Sequence, residues 1–205
     1  TTEIYTLSLH DALPILNLKD KAAVIQMVRN IDGLLGVVKN DIEGYIQGGD
    51  WGLALATFSS HCDYRMGADE VGDDAYINVI GEMIKCGADL DCDPKGRAHS
   101  PLYSEARKGN LVAVKMLLEG GAEVDGRFWS NNPFRCTPLM LAAQGGFRDV
   151  VECLLAHGAD VNRHDRNGDM TIDYTRVAGF SDVEEVLNKW PGAVQSRKTG
   201  NRRWK

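Results

Sequence analysis

From residue 100 onward, apolar positions fall into short helical stripes that glycines interrupt at near-regular intervals. Val150, Val151, Leu154 and Leu155 stand at i, i+1, i+4 and i+5, the spacing of one buried helix face. Ahead of them, Thr137 is placed to cap a helix through its side-chain oxygen. Pro138 follows at the first helical position, where its missing N–H costs nothing. This first helix is short and ends near Gly146, and the second ends at Gly158. Ser100, Pro101 and Gly109 repeat the arrangement. The pattern predicts pairs of short helices joined by polar loops.

The pairs are copies of one another. Ser100–Asp125 aligns without a gap with Thr137–Asn162, and Met170–Trp190 aligns with both. The offsets are 37 and 33 residues, so four extra residues separate the first two copies. A unit of this size cannot bury its apolar face alone and must stack on its neighbours. Upstream the pattern degrades. Tyr76–Asp91 fits a second helix and its following loop, and Trp51–Ser60 is the candidate first helix, with the polar stretch Arg65–Asp74 between them. Further helical patterns cover about Asp20–Asn30 and Leu34–Gln47, where Asp41, Ile42, Tyr45 and Ile46 echo another second helix.

Thr137-Pro138-Leu139, Ala142-Ala143, Gly146, Val150-Val151, Leu154-Leu155 and Gly158-Ala159-Asp160-Val161-Asn162 together resemble the ankyrin repeat. The resemblance runs from Cys86 to Trp190, about half the chain. It implies an all-α solenoid of antiparallel helix pairs with protruding β-turn fingers, stacked in an L-shaped array. Met140, Tyr103 and Asp173 stand where the family usually has a histidine that braces the turn. Glu105 replaces the small residue found at Ala142, and Thr175-Arg176 replace Ala142-Ala143. A charged Arg176 facing a further repeat would be costly, so the last unit reads as a C-terminal cap with a solvated outer face. The expected division is a helical region over 16–50, a degenerate repeat over 51–92, three repeats over 93–190 and a basic tail over 191–205.

The first fifteen residues, Thr1–Ile15, resemble the in-frame translation of a common short-read sequencing adapter, codon for codon. They are read as an artefact and set apart from fold reasoning. The natural start then lies at an unknown point upstream, and the lack of a leader carries no weight on secretion. The formal charge moves from −6 to −4 once Glu3 and Asp11 are set aside. It divides into −9 over residues 16–194 and +5 over 195–205. An acidic body does not supply the basic footprint of a generic nucleic-acid binder. No run approaches the length of a membrane-spanning helix. Five cysteines without framework spacing favour reduced thiols in the cytoplasm.

Motifs for chemistry are weak. His61-Cys62-Asp63 are neighbours in sequence only, whereas a triad needs convergence in space. Cys86 and Cys92 have no CxxC partner for a structural zinc, and Cys153 reads as a small hydrophobe. Gly48-Gly49 and Gly120-Gly121 lack the lysine and serine of a phosphate loop. No enzyme activity, cofactor or metal is predicted. An enzyme housed in residues 16–92 would instead need a pocket with converging polar groups there.

Binding to a protein partner is the reading the repeats favour, since stacked units form an extended concave surface. On the resemblance, that surface includes Arg97, Ser104, Arg107 and Lys108 in one unit. Arg135, Leu141, Gln144 and Phe147 belong to the next, and His164, Arg166, Asp169 and Tyr174 to the last. Taken singly, each also reads as ordinary solvated surface. The four-residue insertion lies in GRFWSNNPFR, Gly126–Arg135, which places Phe128, Trp129 and Phe134 in an exposed finger. They read either as interface anchors or as aromatics folded back onto the array. The tail reads as a disordered solubilising segment or a small contact for an acidic protein or nucleic acid. The expected function is a monomeric protein–protein interaction module, scaffold or adaptor, with neither membrane nor nucleic acid as partner. The alternative is a regulatory or targeting part of a larger enzyme or effector.

Overall fold

The computed structural model describes residues 21–31, 34–61, 71–92, 100–126 and 135–193. Ten α-helices lie among them: α1 (Lys21–Arg29), α2 (Gly36–Gly48), α3 (Trp51–His61), α4 (Val71–Lys85), α5 (Pro101–Lys108), α6 (Leu111–Glu119), α7 (Pro138–Gln144), α8 (Arg148–Ala156), α9 (Thr171–Ala178) and α10 (Ser181–Lys189). The described residues hold one isolated β-bridge, between His164 and Met170. The chain is an all-α stacked array, as the periodicity predicts.

Successive helices pack as hairpins, α3 with α4, α5 with α6, α7 with α8 and α9 with α10. The first helices form one row, α3–α5–α7–α9, and the second helices another, α4–α6–α8–α10. Small residues let the first row close up: Ala106, Ala142 and Ala143 are fully buried in it. The second row supplies the larger apolar groups, among them Val114, Leu117, Val151, Leu154, Val183 and Leu187, all buried between the rows. One continuous core results, running from Val24 to Leu187.

Neighbouring units interlock through an aromatic ring placed on glycine. Phe180 packs over Gly146, so a Cβ added there would sit 2.5 Å from the ring. Gly146 also has φ +71°, a left-handed conformation that disfavours any side chain. Phe147 covers Gly109 in the same way one unit earlier.

The N-terminal pair enters in reverse order. α2 lies beside α3 in the first-helix row, and α1 lies beside α4 in the second-helix row. The echo of a second helix around Ile42 and Ile46 is therefore corrected: these residues are buried, but in a helix that occupies the first row. With α2 on one side and α4 and α5 on the others, α3 is covered nearly all round. Gly52 and Ala54–Ser59 are buried, which is why its apolar residues show no single stripe. Arg29 clamps α1 to α2 through two bonds of 2.7 Å to the Glu43 carboxylate.

Candidate protein-binding surface

The loops between units are built from capping and turn chemistry. Ser100 Oγ accepts the Tyr103 N–H at 3.3 Å and Thr137 Oγ1 accepts the Met140 N–H at 3.2 Å, each ahead of a proline at the start of its helix. In the last unit the Asp173 carboxylate accepts the Met170 N–H at 2.9 Å. A carboxylate thus ties the start of α9 where the resemblance leads one to look for a histidine.

An aspartate ladder sets the register of the loops. Asp91 accepts the Glu123 N–H at 3.0 Å, and Asp125 accepts the Asp160 N–H at 3.1 Å. Asn162, at the equivalent place, donates instead to the Gly192 carbonyl at 2.8 Å. Asp125 also pairs with Arg163 at 3.0 Å. Burial still pushes the Asp125 carboxyl above its ordinary range, against the pull of that N–H and guanidinium.

The finger between α8 and α9 is organised around Asp165, which is buried. Its carboxylate accepts the N–H groups of Asn167 and Asp169 at 2.8 and 2.7 Å and the Tyr174 hydroxyl at 3.0 Å. Tyr174 also lies 3.1 Å from the Cys136 thiol. Burial pushes both the Tyr174 hydroxyl and the Cys136 thiol above their ordinary values. Tyr103 is likewise pushed up to about 12, by burial first and by Cys136 next.

Six of the sequence-selected surface residues turn out to be buried or half-buried in the array. Tyr174 is 5% exposed and braces the finger from within. The Lys108 side chain is 7% exposed and pairs with fully buried Glu105 at 3.0 Å. Its ammonium also donates to the Ser59 carbonyl at 2.5 Å and to Tyr76 at 3.0 Å. Phe147 is half-buried as the ring over Gly109. Ser104, Leu141 and Asp169 are buried as well. Arg107, Arg135, Gln144, His164 and Arg166 are exposed. Arg97, Phe128, Trp129 and Phe134 lie outside the described residues.

Two exposed candidates that are distant in sequence meet in space. Arg135 and His164, with Arg163 and Asp160, line an open cleft of about 480 Å³ between consecutive fingers. Arg163 was not singled out by sequence: its partner Asp125 lies in the preceding finger, and no local motif records that pairing. Arg135 has φ +52°. Among the described residues, no group of three or more His, Cys, Asp or Glu side chains is placed to hold a metal ion. No described helix is long and apolar enough to cross a membrane.

A family model described as ankyrin repeats, three copies, matches residues 71–165. Residues 71–165 are ankyrin repeats. The match takes in the α4 helix, the α5–α6 and α7–α8 pairs and the cleft residues Arg135, Asp160, Arg163 and His164. Over 97 residues, or 47% of this chain, the sequence is 36% identical to an ankyrin repeat and KH domain-containing protein, mask-1, of Caenorhabditis elegans, covering 4% of that protein. Over 117 residues, 57% of the chain, it is 31% identical to the glycerophosphocholine phosphodiesterase gde1 of Schizosaccharomyces pombe, covering 10% of it. Over 86 residues, 42% of the chain, it is 37% identical to the human ARF GTPase-activating protein GIT1, covering 11% of it. The chain thus spans a small fraction of the length of these relatives.

Proposed function

We propose that the chain is a protein–protein interaction module that displays the fingers and first-helix row of its ankyrin array to a partner. The observation that carries this reading is the side-chain arrangement along that face. Lys108, Tyr174, Asp165 and Glu105 are consumed inside the array, while Arg107, Gln144, Arg135, His164 and Arg166 are presented to solvent on a scaffold already held by hydrogen bonds. A surface fixed before docking loses little conformational freedom on binding. The module is read as non-catalytic, monomeric and cytoplasmic, with a protein and not a nucleic acid as its partner.

A second reading, that the module regulates or targets a larger enzyme or effector, is favoured by the comparisons. In each of those relatives the matched stretch is a small part of a longer protein, and gde1 carries an enzyme's name. Affinity capture with the full chain tests the first reading. A protein retained by the wild type should be lost with Arg107→Glu/Gln144→Glu at an unchanged melting temperature, and retained by Glu119→Lys on α6. Equal retention by all three would refute the assigned face.

A further inference from the structure

The C-terminal ends of the first helices carry a row of side chains that the array itself leaves unused. Arg107 of α5, Gln144 of α7 and Val177 of α9 stand at aligned positions, separated by the same 37 and 33 residues that separate the repeat starts. Their helices are successive neighbours in the first row. All three residues are exposed, Val177 by 55%. Among the described residues, the Arg107 and Gln144 side chains have neither a hydrogen bond nor an ion pair. Half-buried rings sit at the same helix ends, Phe147 on Gly109 after α5 and Phe180 on Gly146 after α7.

We propose that this row is a docking track for a proline-rich segment of the partner protein in the polyproline II conformation, with an acidic residue over Arg107 and an apolar residue six positions away over Val177. The inference rests on the interaction reading above and deepens it. Packed helices lie about 8–10 Å apart. A polyproline II helix has three residues per turn and advances about 9 Å per turn, so every third side chain meets the next first helix from the same side. A β-strand cannot do this, because its residues three apart point to opposite faces. An α-helix matches the spacing only at every seventh residue, about 10 Å. It also docks through an apolar groove, which one valine among three row positions does not supply. The chemistry along the row sets the rest. Arg107 projects a guanidinium with no carboxylate of its own, which suits an acidic side chain. The carbonyls of a polyproline II backbone have no internal partners, and the Gln144 amide can donate to one of them. Val177 can cover an aliphatic group, and the Phe147 and Phe180 rings offer proline the aromatic surface that such segments use. A segment that is already extended loses little freedom on docking.

The test is fluorescence anisotropy of the full chain with labelled peptides. Two of them carry glutamate and leucine six residues apart with proline between, one in each chain direction, since the row accepts either. A third has the leucine one residue closer, and a fourth has lysine in place of glutamate. A helical peptide with glutamate, glutamine and leucine seven residues apart tests the rival fit. At least one of the two directional peptides should bind. Moving the leucine turns it away by a third of a turn and should weaken binding at least roughly threefold. Lysine for glutamate should weaken it by a similar factor, roughly threefold or more. Arg107→Glu should reverse that preference, so that the lysine peptide binds better than the glutamate one. Val177→Ser should weaken binding roughly threefold, and Val112→Ser, at a comparably exposed valine of α6, should leave it intact. The inference is overturned if neither directional peptide binds, if the shifted or the lysine peptide binds as well, if the helical peptide binds more tightly than both, or if Val112→Ser matches Val177→Ser. Partner capture lost with Arg107→Glu/Gln144→Glu while no proline peptide binds would sink this inference and leave the interaction reading standing. Capture unchanged by that variant would sink the assigned face itself.

Discussion

Glu105 shows how much a single substitution in a repeat can reorganise. The position calls for a small residue, yet the carboxylate is fully buried and takes bonds from Tyr76 at 2.6 Å, Lys108 at 3.0 Å and Asn110 at 3.0 Å. Four successive helices meet there: Ser59 of α3, Tyr76 of α4, Lys108 of α5 and Asn110 capping α6. Removing one partner of a buried pair strands the other charge. Glu105→Ala is therefore expected to cost about 3–5 kcal/mol, and Glu105→Ala/Lys108→Leu to recover most of it. Urea unfolding of both variants checks this, and a loss under about 1 kcal/mol in the single variant would contradict it. The sequence showed Glu105 as a departure and Lys108 as surface. It could not pair them usefully, because burial of both depends on α3 and α4 closing over them. At the other end of the array, Arg29 holds the Glu43 carboxyl below its ordinary value of 4.5. A depressed folded value adds stability that is complete above the unfolded value and fades as pH falls through the folded one. The melting-temperature gap between wild type and Glu43→Gln should accordingly shrink from neutral pH toward about pH 3. A gap that stays constant would mean the ion pair contributes nothing.

Helices were the most legible level, because caps, prolines and glycines are local signals. Gly36–Gly48 and Lys21–Arg29 lie close to the stretches read from apolar spacing, and Pro101 and Pro138 open helices where expected. What the spacing could not show is order. The reversal of α1 and α2 relative to the later pairs depends on which helix finds α3, and an amphipathic stripe fits either row. Links between loops are equally non-local. The Asp91 and Asp125 bonds span 32 and 35 residues, although each donor and acceptor belongs to the same Gly-Ala-Asp/Glu pattern that terminates the second helix. Asp91→Ala should leave the Glu123 amide without its acceptor and cost about 1 kcal/mol. Native-state hydrogen exchange should speed up at Glu123 and leave the Asp160 amide, one rung further on, unchanged. Equal acceleration at both would show that the ladder acts as one unit.

At the scale of the whole molecule, the array separates two kinds of residue that look alike in sequence. Polar and aromatic side chains at aligned positions split into a set that locks units together, Lys108, Phe147 and Tyr174, and a set that faces solvent, Arg107, Arg135, Gln144, His164 and Arg166. The first set was misassigned to the surface because family position alone fixed the reading. The repeat register places a residue on a helix face, but the size and hydrogen bonding of its neighbours decide whether it is covered. The cleft between fingers arises only once consecutive units stack, so it belongs to the assembled array and to no single repeat. The ankyrin stretch at residues 71–165 and the α9–α10 pair that follows it pack as one continuous array, and the proposed reading expects them to meet a partner as one surface. Hydrogen exchange of the full chain, free and bound to the partner retained in affinity capture, tests this most directly. Protection should appear in α5, α7 and the 157–170 finger and be absent from α6, α8 and α10. Protection confined to those second-row helices would contradict the account.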